Sequence, residues 1–290
     1  MKQLKLGKNK HGGSPCVITQ SIKNVIFVIK LLLIPLILSF FINNNLFSRV
    51  LIINNNENAP QGQYKTVPEA MLSASPGDTL YIVGSNKTYG NFNIQKRITI
   101  IGEGYKRSEK NYQMVSQVGT ITFDSTLTYP IAGCVLKGLF IYELTYASGD
   151  NGRINNVTLE NCFFDYYAYV SGCNWIIKNC IFDSYFYLNY NDSVIISNCF
   201  MLYYVYNSNK SNVYFRNNIF IGQYSFVNIS YATFENNIFF GSNLASGLTN
   251  CVFNNNISYA SSSQTLPPTN NSGNNNISDT NPLFVNAVLA

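Results

Sequence analysis

Histidine, charged residues and paired cysteine motifs are all scarce in this chain. Its 290 residues include a single histidine, His11, and only 11% are Asp, Glu, Lys or Arg. No Cys-x-x-Cys pair occurs among the seven cysteines. Zinc sites are built mainly from closely spaced Cys and His, so the sequence predicts no metal site. No histidine beyond residue 11 is present to act as a catalytic base.

Acidic residues are absent from the first 49 positions, which contain seven Lys or Arg. The rest of the chain has 12 basic and 14 acidic residues, so the formal net charge of +5 comes from the N-terminal part alone. A nucleic-acid-binding protein needs basic residues clustered on its folded part. The sequence therefore predicts no nucleic-acid partner.

The N-terminal residues have the pattern of a targeting segment. Lys23 and Lys30 precede an uncharged, apolar run at residues 31–42, and this order is typical of a secretory signal. No small-x-small cleavage site follows, and residues 25–42 are long enough for a signal anchor. We expect a secreted or cell-surface protein whose only membrane contact is an anchor at residues 25–42. Residues 1–57 are assigned to a signal peptide or signal anchor plus a polar linker.

A motif of alternating apolar residues that ends in asparagine occurs six times, each time followed by a small residue and two large apolar ones. The repeated asparagines are Asn161, Asn179, Asn198, Asn217, Asn236 and Asn250. The steps between them are 18, 19, 19, 19 and 14 residues. A period near twenty residues with strand-like alternation is typical of a solenoid of stacked coils.

Glycine replaces the repeated asparagine in two earlier copies, at Gly102 and Gly138. Both residue types tolerate the left-handed backbone region, so each coil is expected to turn a corner there. The next position is small and is predicted to be interior. It is occupied by Cys162, Cys180, Cys199, Asn218, Asn237 and Cys251. Side chains on stacked strands point the same way and are badly aimed for a disulfide, so these thiols are predicted to be free.

A short helix is predicted just before the strands. Thr66 and Glu69 have the spacing of a capping box, and Pro68 lies in the first turn, where proline is tolerated. Val67, Ala70, Met71 and Ala74 share one helical face. We expect this helix to cover the open apolar end of the solenoid. Weaker copies of the repeat are predicted at Asn256-Ile-Ser258 and Asn276-Ile-Ser278.

The chain resembles the pectin-lyase-like, right-handed parallel β-helix proteins that bacteria secrete or display. The likeness lies in the helix with Pro76-Gly77-Asp78, the Ile98–Gly102 copy, the Asn161–Asn250 series and Asn281-Pro-Leu-Phe284. It covers residues 58–290. It implies an all-β, right-handed parallel β-helix of about ten coils with a short N-terminal capping helix. The superfamily includes lyases, hydrolases, esterases and non-catalytic adhesins, so it implies fold and not activity.

The resemblance also implies which motifs an enzyme would have. A polygalacturonase would have Asn-Thr-Asp, paired Asp, Gly-His-Gly and Arg-x-Lys, and a calcium-dependent pectate lyase would have clustered Asp and Arg-x-Pro-x-x-Arg. None of these motifs occurs in the chain. The nearest catalytic candidates are Asp165 and Asp183, each four residues after a repeated asparagine, which could share a cation or form an acid pair. The alternative is that both are solvated at strand ends. No cofactor is expected, except Ca²⁺ if the protein is a lyase.

Three successive coils each contain two tyrosines separated by a single apolar residue. The triplets are Tyr167-Ala-Tyr169, Tyr185-Phe-Tyr187 and Tyr204-Val-Tyr206. A strand buries only one face. If the middle residues point inward, two three-rung tyrosine ladders lie on the surface, and a patch of this kind usually marks a contact site. Tyrosine offers sugars a flat apolar ring and a hydroxyl. The alternatives are that the tyrosines stack inside or pack against another chain.

Three hypotheses for function follow. The first is an exported, non-catalytic protein that binds polysaccharide, a cell-surface glycan or another surface through the tyrosine ladders. The second is a polysaccharide lyase or glycoside hydrolase with an atypical site at Asp165 and Asp183. The third is an adhesin-like structural spacer that self-associates through the tyrosines.

Overall fold

The computed structural model describes residues 48–61, 63–105, 114–124, 131–147, 154–207, 212–221, 226–241, 247–259 and 265–280. All of them belong to the compact unit Ser48–Ala290. The apolar segment 25–42 and the motif at 281–284 lie outside the described residues. No helix in the described part of the chain is long and apolar enough to cross a membrane.

Parallel strands make up almost all of the regular structure, and they are numbered here along the chain. The first sheet has ten strands, in the order β1 Val50–Ile53, β2 Thr79–Ile82, β4 Thr99–Gly102, β6 Val135–Lys137, β8 Thr158–Glu160, β11 Ile176–Lys178, β14 Val194–Ser197, β17 Val213–Arg216, β21 Thr233–Glu235 and β24 Val252–Asn254. The second sheet has 13 strands: β3 Phe92–Ile94, β5 Gln117–Phe123, β7 Phe140–Tyr146, β9 Phe163–Phe164, β10 Ala168–Cys173, β12 Ile181–Phe182, β13 Phe186–Asp192, β15 Phe200–Met201, β16 Val205–Asn207, β18 Ile219–Ile221, β19 Phe226–Val227, β22 Ile238–Phe240 and β25 Ile257–Tyr259. A two-stranded sheet pairs β20 Ile229–Ser230 with β23 Leu248–Thr249.

Neighbouring strands in the sheets come from successive coils, which confirms the predicted all-β parallel β-helix. The helix has about eight complete turns, slightly fewer than the ten coils predicted. The first coil contributes β1 to the first sheet and then continues into the short α-helix Val67–Ser73. After Tyr259 the described residues pair only through isolated bridges, such as Ile257 with Ile277. Incomplete coils at both ends therefore account for the difference.

Long strand β7 divides the second sheet into two branches. Phe140 pairs with Phe163 of β9, whereas Leu144 pairs with Ala168 of β10. Later coils continue both branches, one through β12, β15 and β18 and the other through β13, β16 and β19. The chain bends between the branches, so each of these coils has three faces, and the tyrosine triplets lie on the branch that starts at β10.

The predicted capping helix is present as α1, Val67–Ser73, and it packs against the first strands of the solenoid. Thr66 Oγ1 accepts the backbone N–H of Glu69 at 3.4 Å, and Glu69 Oε2 accepts that of Thr66 at 3.3 Å, which completes the capping box. At the other end, Lys96 Nζ donates to the carbonyls of Met71 and Ala74 at 2.8 and 2.9 Å. A cation on the last carbonyls of a helix is stabilising.

The strand array starts earlier than residue 58, the boundary expected from the sequence. β1 pairs along its whole length with β2, and its side chains alternate between exposed Val50 and Ile52 and buried Leu51 and Ile53. This strand lies within the residues assigned to the N-terminal segment and linker. Its four-residue alternation is too short to stand out between the apolar run and the asparagine-rich stretch that follows.

The corner predicted at the repeated asparagines is confirmed for the first five copies. Asn161, Asn179, Asn198, Asn217 and Asn236 have φ between 53° and 56°. Such angles are uncommon for residues other than glycine, and asparagine is among the types that adopt them. One residue per coil therefore turns the chain from the first sheet into the second.

The prediction that Asn250 continues the Asn161 series is wrong. Glu235 pairs with Asn254, which places Asn255, with a φ of 56°, next to Asn236 along the corner. The true step is thus 19 residues and not 14. Asn250 lies instead at a second left-handed corner, next to Tyr231, and Cys251 is not part of the thiol ladder. Asn250 is left-handed and is followed by a small buried residue, Cys251, as at the first corner, so the local motif does not distinguish the two corners in this coil.

Gly102 also departs from the expected corner. Gly138 has a φ of 66°, but Gly102 ends β4 outside the left-handed region. A Cβ at Gly102 would lie 2.5 Å from Gly138 O, and one at Gly138 would lie 2.7 Å from Gly102 O. Close approach of the two backbones therefore requires glycine at both positions.

The interior position after the corner forms a continuous ladder. Its members are Cys162, Cys180, Cys199, Asn218, Asn237 and Asn256, all buried. All six cysteines within the described residues are free, and they include the four for which free thiols were predicted. Burial, followed by the neighbouring thiols, raises the pKa of Cys180 well above its ordinary value.

Candidate functional site

The middle residues of the three tyrosine triplets point into the core. Ala168, Phe186 and Val205 are at most 1% exposed, and they pair directly from coil to coil. Adjacent residues of a strand point to opposite sides. The tyrosines on either side of them therefore lie on the outer surface, which excludes the alternative that they stack inside.

One of the two outer columns consists of Tyr169, Tyr187 and Tyr206. The rings of Tyr169 and Tyr187 stack with centroids 4.5 Å apart and 10° between their planes. Tyr187 and Tyr206 stack at 5.0 Å and 12°. These spacings match the distance of about 4.8 Å between neighbouring strands, so the backbone pairing itself sets the ring stack.

The second outer column consists of Tyr167, Tyr185 and Tyr204. Tyr185 and Tyr204 stack at 5.4 Å and 11°, but Tyr167 is tilted by 53° from Tyr185. The tilt accompanies a contact within the lowest coil, where Tyr166 donates its hydroxyl to Tyr167 Oη at 2.9 Å. Tyr167 therefore does not lie flat on the ring above it.

Four further tyrosines extend this surface and were missed from the sequence. Tyr142 stacks on Tyr166 at 5.4 Å and 16°, and Tyr203 packs on Tyr185 at 5.8 Å. Tyr146 meets the edge of Tyr169 at 6.4 Å. The tyrosine face is defined here as these four together with the two outer columns: Tyr142, Tyr146, Tyr166, Tyr167, Tyr169, Tyr185, Tyr187, Tyr203, Tyr204 and Tyr206. The available signal was the tyrosine immediately before two of the triplets.

Glu143 lies below the second outer column, in register with Tyr167, because its neighbour Leu144 pairs with Ala168. Thr120 Oγ1 donates to Glu143 Oε2 at 3.2 Å from the coil below. The carboxylate contributes to the raised pKa of nearby phenols. The pKa of Tyr167 is raised mainly by its hydrogen bond with Tyr166 and also by Glu143, and that of Tyr169 by burial and then by Glu143.

Burial and the surrounding phenols raise the pKa of Tyr187 to about 12. The pKa of Tyr206 is also raised, first by burial and then by Tyr185. Ionised phenols would repel one another within the stack, and partial burial disfavours their charge. The hydroxyl groups of Tyr187 and Tyr206 therefore keep their protons and remain hydrogen-bond donors over the whole physiological pH range.

Asp165 and Asp183 lie one above the other at the bend beside the tyrosine face. Phe164 pairs with Phe182, which puts the two aspartates in register, and both are exposed. Burial of part of its side chain and the charge of Asp165 raise the pKa of Asp183. The structure thus brings the two carboxylates together as predicted. Their proposed catalytic role stays a prediction.

Among the described residues, the second sheet has acidic but no basic side chains. The strands of the second sheet contain no Lys or Arg, and their charged residues are Glu143 and Asp192. Glu143, Asp165 and Asp183 therefore place carboxylates beside the tyrosine face. Within the described residues, no group of three or more His, Cys, Asp or Glu is placed to hold a metal ion.

The strand pairing defines the chain as a parallel β-helix protein, which confirms the resemblance to pectin-lyase-like proteins at the level of fold. The bacterial type stays a prediction. No protein-family model and no curated protein matches the chain. Two crystal structures of the pectin methylesterase from Aspergillus niger, in deglycosylated and penultimately deglycosylated forms, are similar to it. Each is 15% identical over 79% of this chain and 84% of that chain, with TM-scores of 0.32 and 0.31.

Proposed function

We propose that this chain is an exported, non-catalytic β-helix protein that binds polysaccharide through its tyrosine face. The observation that carries the proposal is the outward pair of columns, in which six tyrosines lie in register over three coils and all but Tyr167 stack on a neighbour. A contiguous exposed aromatic surface of this size usually marks a contact site. Tyrosine combines a hydrophobic ring with a hydroxyl, which suits the apolar faces and hydroxyl groups of sugars.

Ring geometry limits how a sugar can bind. Within the stacked parts of the columns the ring faces cover one another, so they present edges and rows of hydroxyl groups to solvent. The ring of Tyr167 is tilted from those of Tyr166 and Tyr185, and Tyr206 is the last tyrosine of its column, with Val227 next to it in register. We expect sugar rings to stack at these places and to hydrogen-bond along the hydroxyl rows between them.

Charge selects the class of polysaccharide. Glu143, Asp165 and Asp183 would repel a polyuronate, since like charges across an interface are unfavourable. A neutral glycan avoids this cost, and the ammonium group of an amino sugar would be attracted by both the carboxylates and the tyrosine rings. The proposed ligand is therefore a neutral or cationic polysaccharide and not an acidic one.

Isothermal titration of the full chain against neutral, amino-sugar and uronate oligosaccharides tests the proposal. We expect binding of the first two classes, and a loss of about threefold to tenfold in affinity for each of Tyr167→Ala, Tyr185→Ala and Tyr204→Ala. Tyr214→Ala, which removes an exposed tyrosine from the first sheet, is the matched control. No binding of any glycan, or equal losses in the control, would reject the proposal.

A second candidate function is glycan cleavage at Asp165 and Asp183, favoured by the raised pKa of Asp183 beside a second carboxylate. Raised carboxyl pKa values are a feature of general acids. Lyase activity would appear as ultraviolet absorbance of unsaturated products, and hydrolysis as new reducing ends. Activity that is lost in both Asp165→Asn and Asp183→Asn would support this candidate, and activity that survives both changes would remove it.

A further inference from the structure

The outward face of the first sheet carries two columns of side chains, and neither column is part of the tyrosine face. The charged column contains, over six successive strands, Lys137, Glu160, Lys178, Ser197, Arg216 and Glu235. The apolar column beside it contains Val135, Thr158, Ile176, Ile195, Tyr214 and Thr233. Neighbours in each column pair directly, so the side chains are spaced by about 4.8 Å.

The centre of this face is apolar and open. Ile176, Ile195 and Tyr214 are 44%, 43% and 45% exposed, in three consecutive strands. Scattered apolar residues on a surface are ordinary, but a contiguous stripe rimmed by charges is typical of a protein contact. The two isoleucines lie at the midpoint of the six strands.

The charged column is complementary to its own reverse. When it is laid against a reversed copy with the midpoints aligned, Lys137 faces Glu235 and Glu160 faces Arg216. The two middle residues, a lysine and a serine, face each other. Every opposed pair is therefore either of unlike charge or contains a neutral residue, and each unlike pair occurs twice.

Other alignments lose this match. A shift of one strand in one direction opposes Lys178 to its own copy and Lys137 to Arg216. The opposite shift opposes Lys178 to Arg216 and Glu160 to Glu235. After a shift of two strands in either direction, only one combination of oppositely charged residues remains, compared with two in the unshifted arrangement. A two-fold axis perpendicular to the strands, in the direction in which the coils stack, would exchange the two columns. The apolar column of one chain would then face the charged column of the other.

We infer that the occupant of this face is a second copy of the chain, bound face to face about a two-fold axis that runs along the strands. Isologous contacts of this kind are the commonest way in which protein chains pair. The axis passes between β11 and β14. Ile176 then packs on the partner's Ile195, while Lys137 meets the partner's Glu235.

The area of the contact is small for a specific interface. Eight strands of each first sheet overlap in this arrangement. The strands are about 4.8 Å apart and each is roughly 13 Å long. The two sheets together therefore bury on the order of 1,000 Å², which is the lower bound for a specific interface. The dimer is therefore weak, forms with increasing protein concentration and loosens with added salt.

Two charge reversals and their mixture provide the test, measured by sedimentation velocity of the full chain in mild detergent. Lys137→Glu alone places the new carboxylate against the partner's Glu235, and Glu235→Lys alone repeats the conflict with lysines. We expect each to weaken self-association by about tenfold. In the equimolar mixture both symmetric contacts are again between unlike charges, so association returns to within about threefold of the unmodified chain.

A third variant protects the test against loss of folding. Ser197→Glu places a carboxylate against the partner's Lys178, with Lys178 and Arg216 beside it in its own chain, and we expect dimerisation to tighten by about tenfold. Tyr204→Ala, on the tyrosine face, is the control and leaves association unchanged. An unmodified chain that stays monomeric at its highest soluble concentration overturns the inference. So does a mixture that associates no better than its components, an unchanged affinity in Ser197→Glu, or loss of the dimer in Tyr204→Ala.

Discussion

The side-chain amide of Asn218 donates a hydrogen bond to Asn237 Oδ1 across 3.1 Å, from one coil to the next. The same oxygen accepts the backbone N–H of Asn218 at 2.8 Å. In turn, Asn237 Nδ2 donates to Phe215 O at 2.8 Å and to Asn256 Oδ1 at 3.0 Å. All the hydrogen-bonding capacity of this buried amide is used, so the ladder binds each coil to both of its neighbours.

Asn237→Ala is expected to lower the free energy of unfolding by about 3 kcal/mol, because it leaves several buried polar groups without partners. Asn237→Cys is the matched variant, since Cys199 occupies the same position and its Sγ accepts the backbone N–H of Cys180 at 3.4 Å. We expect a smaller loss with cysteine. Urea denaturation measures both, and equal losses would show that the amide network contributes little.

Asp78 is a buried carboxylate at the start of the solenoid, with a side chain only 3% exposed. Burial alone would raise its pKa, but the N–H of Ser75 at 2.8 Å and hydrogen bonds from Arg49 outweigh it, and the pKa is lowered. A pKa depressed by folding means stability that is present above the ordinary aspartate pKa of about 4 and is lost as pH falls below it.

Asp78→Asn should therefore cost about 2 kcal/mol at pH 7, where it removes charge-assisted hydrogen bonds. It should also flatten the decline of stability below pH 4. The measurement is urea unfolding at pH 7 and at pH 3 for both proteins. A variant that is as destabilised at pH 3 as at pH 7 would contradict the proposed origin of the effect.

Two substitutions compare asparagine and glycine at the corner that joins the first sheet to the second. Asn198 has a φ of 54°, so Asn198→Gly should cost at most about 1 kcal/mol. Gly138→Asn keeps a suitable φ but brings a Cβ to 2.7 Å from Gly102 O, and we expect a loss of at least about 2 kcal/mol. Thermal unfolding compares them. Equal tolerance would mean that the two backbones separate without cost.

The repeat could be predicted from the sequence because each coil obeys the same local rules. A left-handed residue is needed at each corner, and asparagine marks the first corner at Asn161 and four later positions. The same rule also caused the error at Asn250, since two corners per coil use the same chemistry. Which corner an asparagine occupies depends on how its strand pairs, and strand register is not a local property.

The candidate site was only partly predictable. The triplets around Ala168 and Phe186 gave the outer columns, because alternation decides the direction of a side chain once one residue is known to be buried. Tyr203 lies between β15 and β16, and Tyr142 lies within β7 at the point where the alternation breaks, since Tyr142 and Glu143 both lie outside the core. The self-complementary charges of Lys137 and Glu235 are almost 100 positions apart in the chain, and only the coil stacking brings them into one column.

The last prediction concerns alkaline pH and Tyr187, whose pKa is raised to about 12 by burial and by the neighbouring phenols. A pKa raised by folding gives stability that is full below the unfolded value of about 10 and is lost as pH rises towards the folded value. Unfolding should therefore become easier between pH 10 and pH 12. Tyr187→Phe keeps the ring between Tyr169 and Tyr206 but has no proton to lose, so its stability should fall less steeply. Urea midpoints at pH 8, 10 and 11 measure the slopes, with Tyr214→Phe as the control for losing a phenol outside the tyrosine face. If both variants change the slope equally, the stacked column is not the source of the alkaline sensitivity.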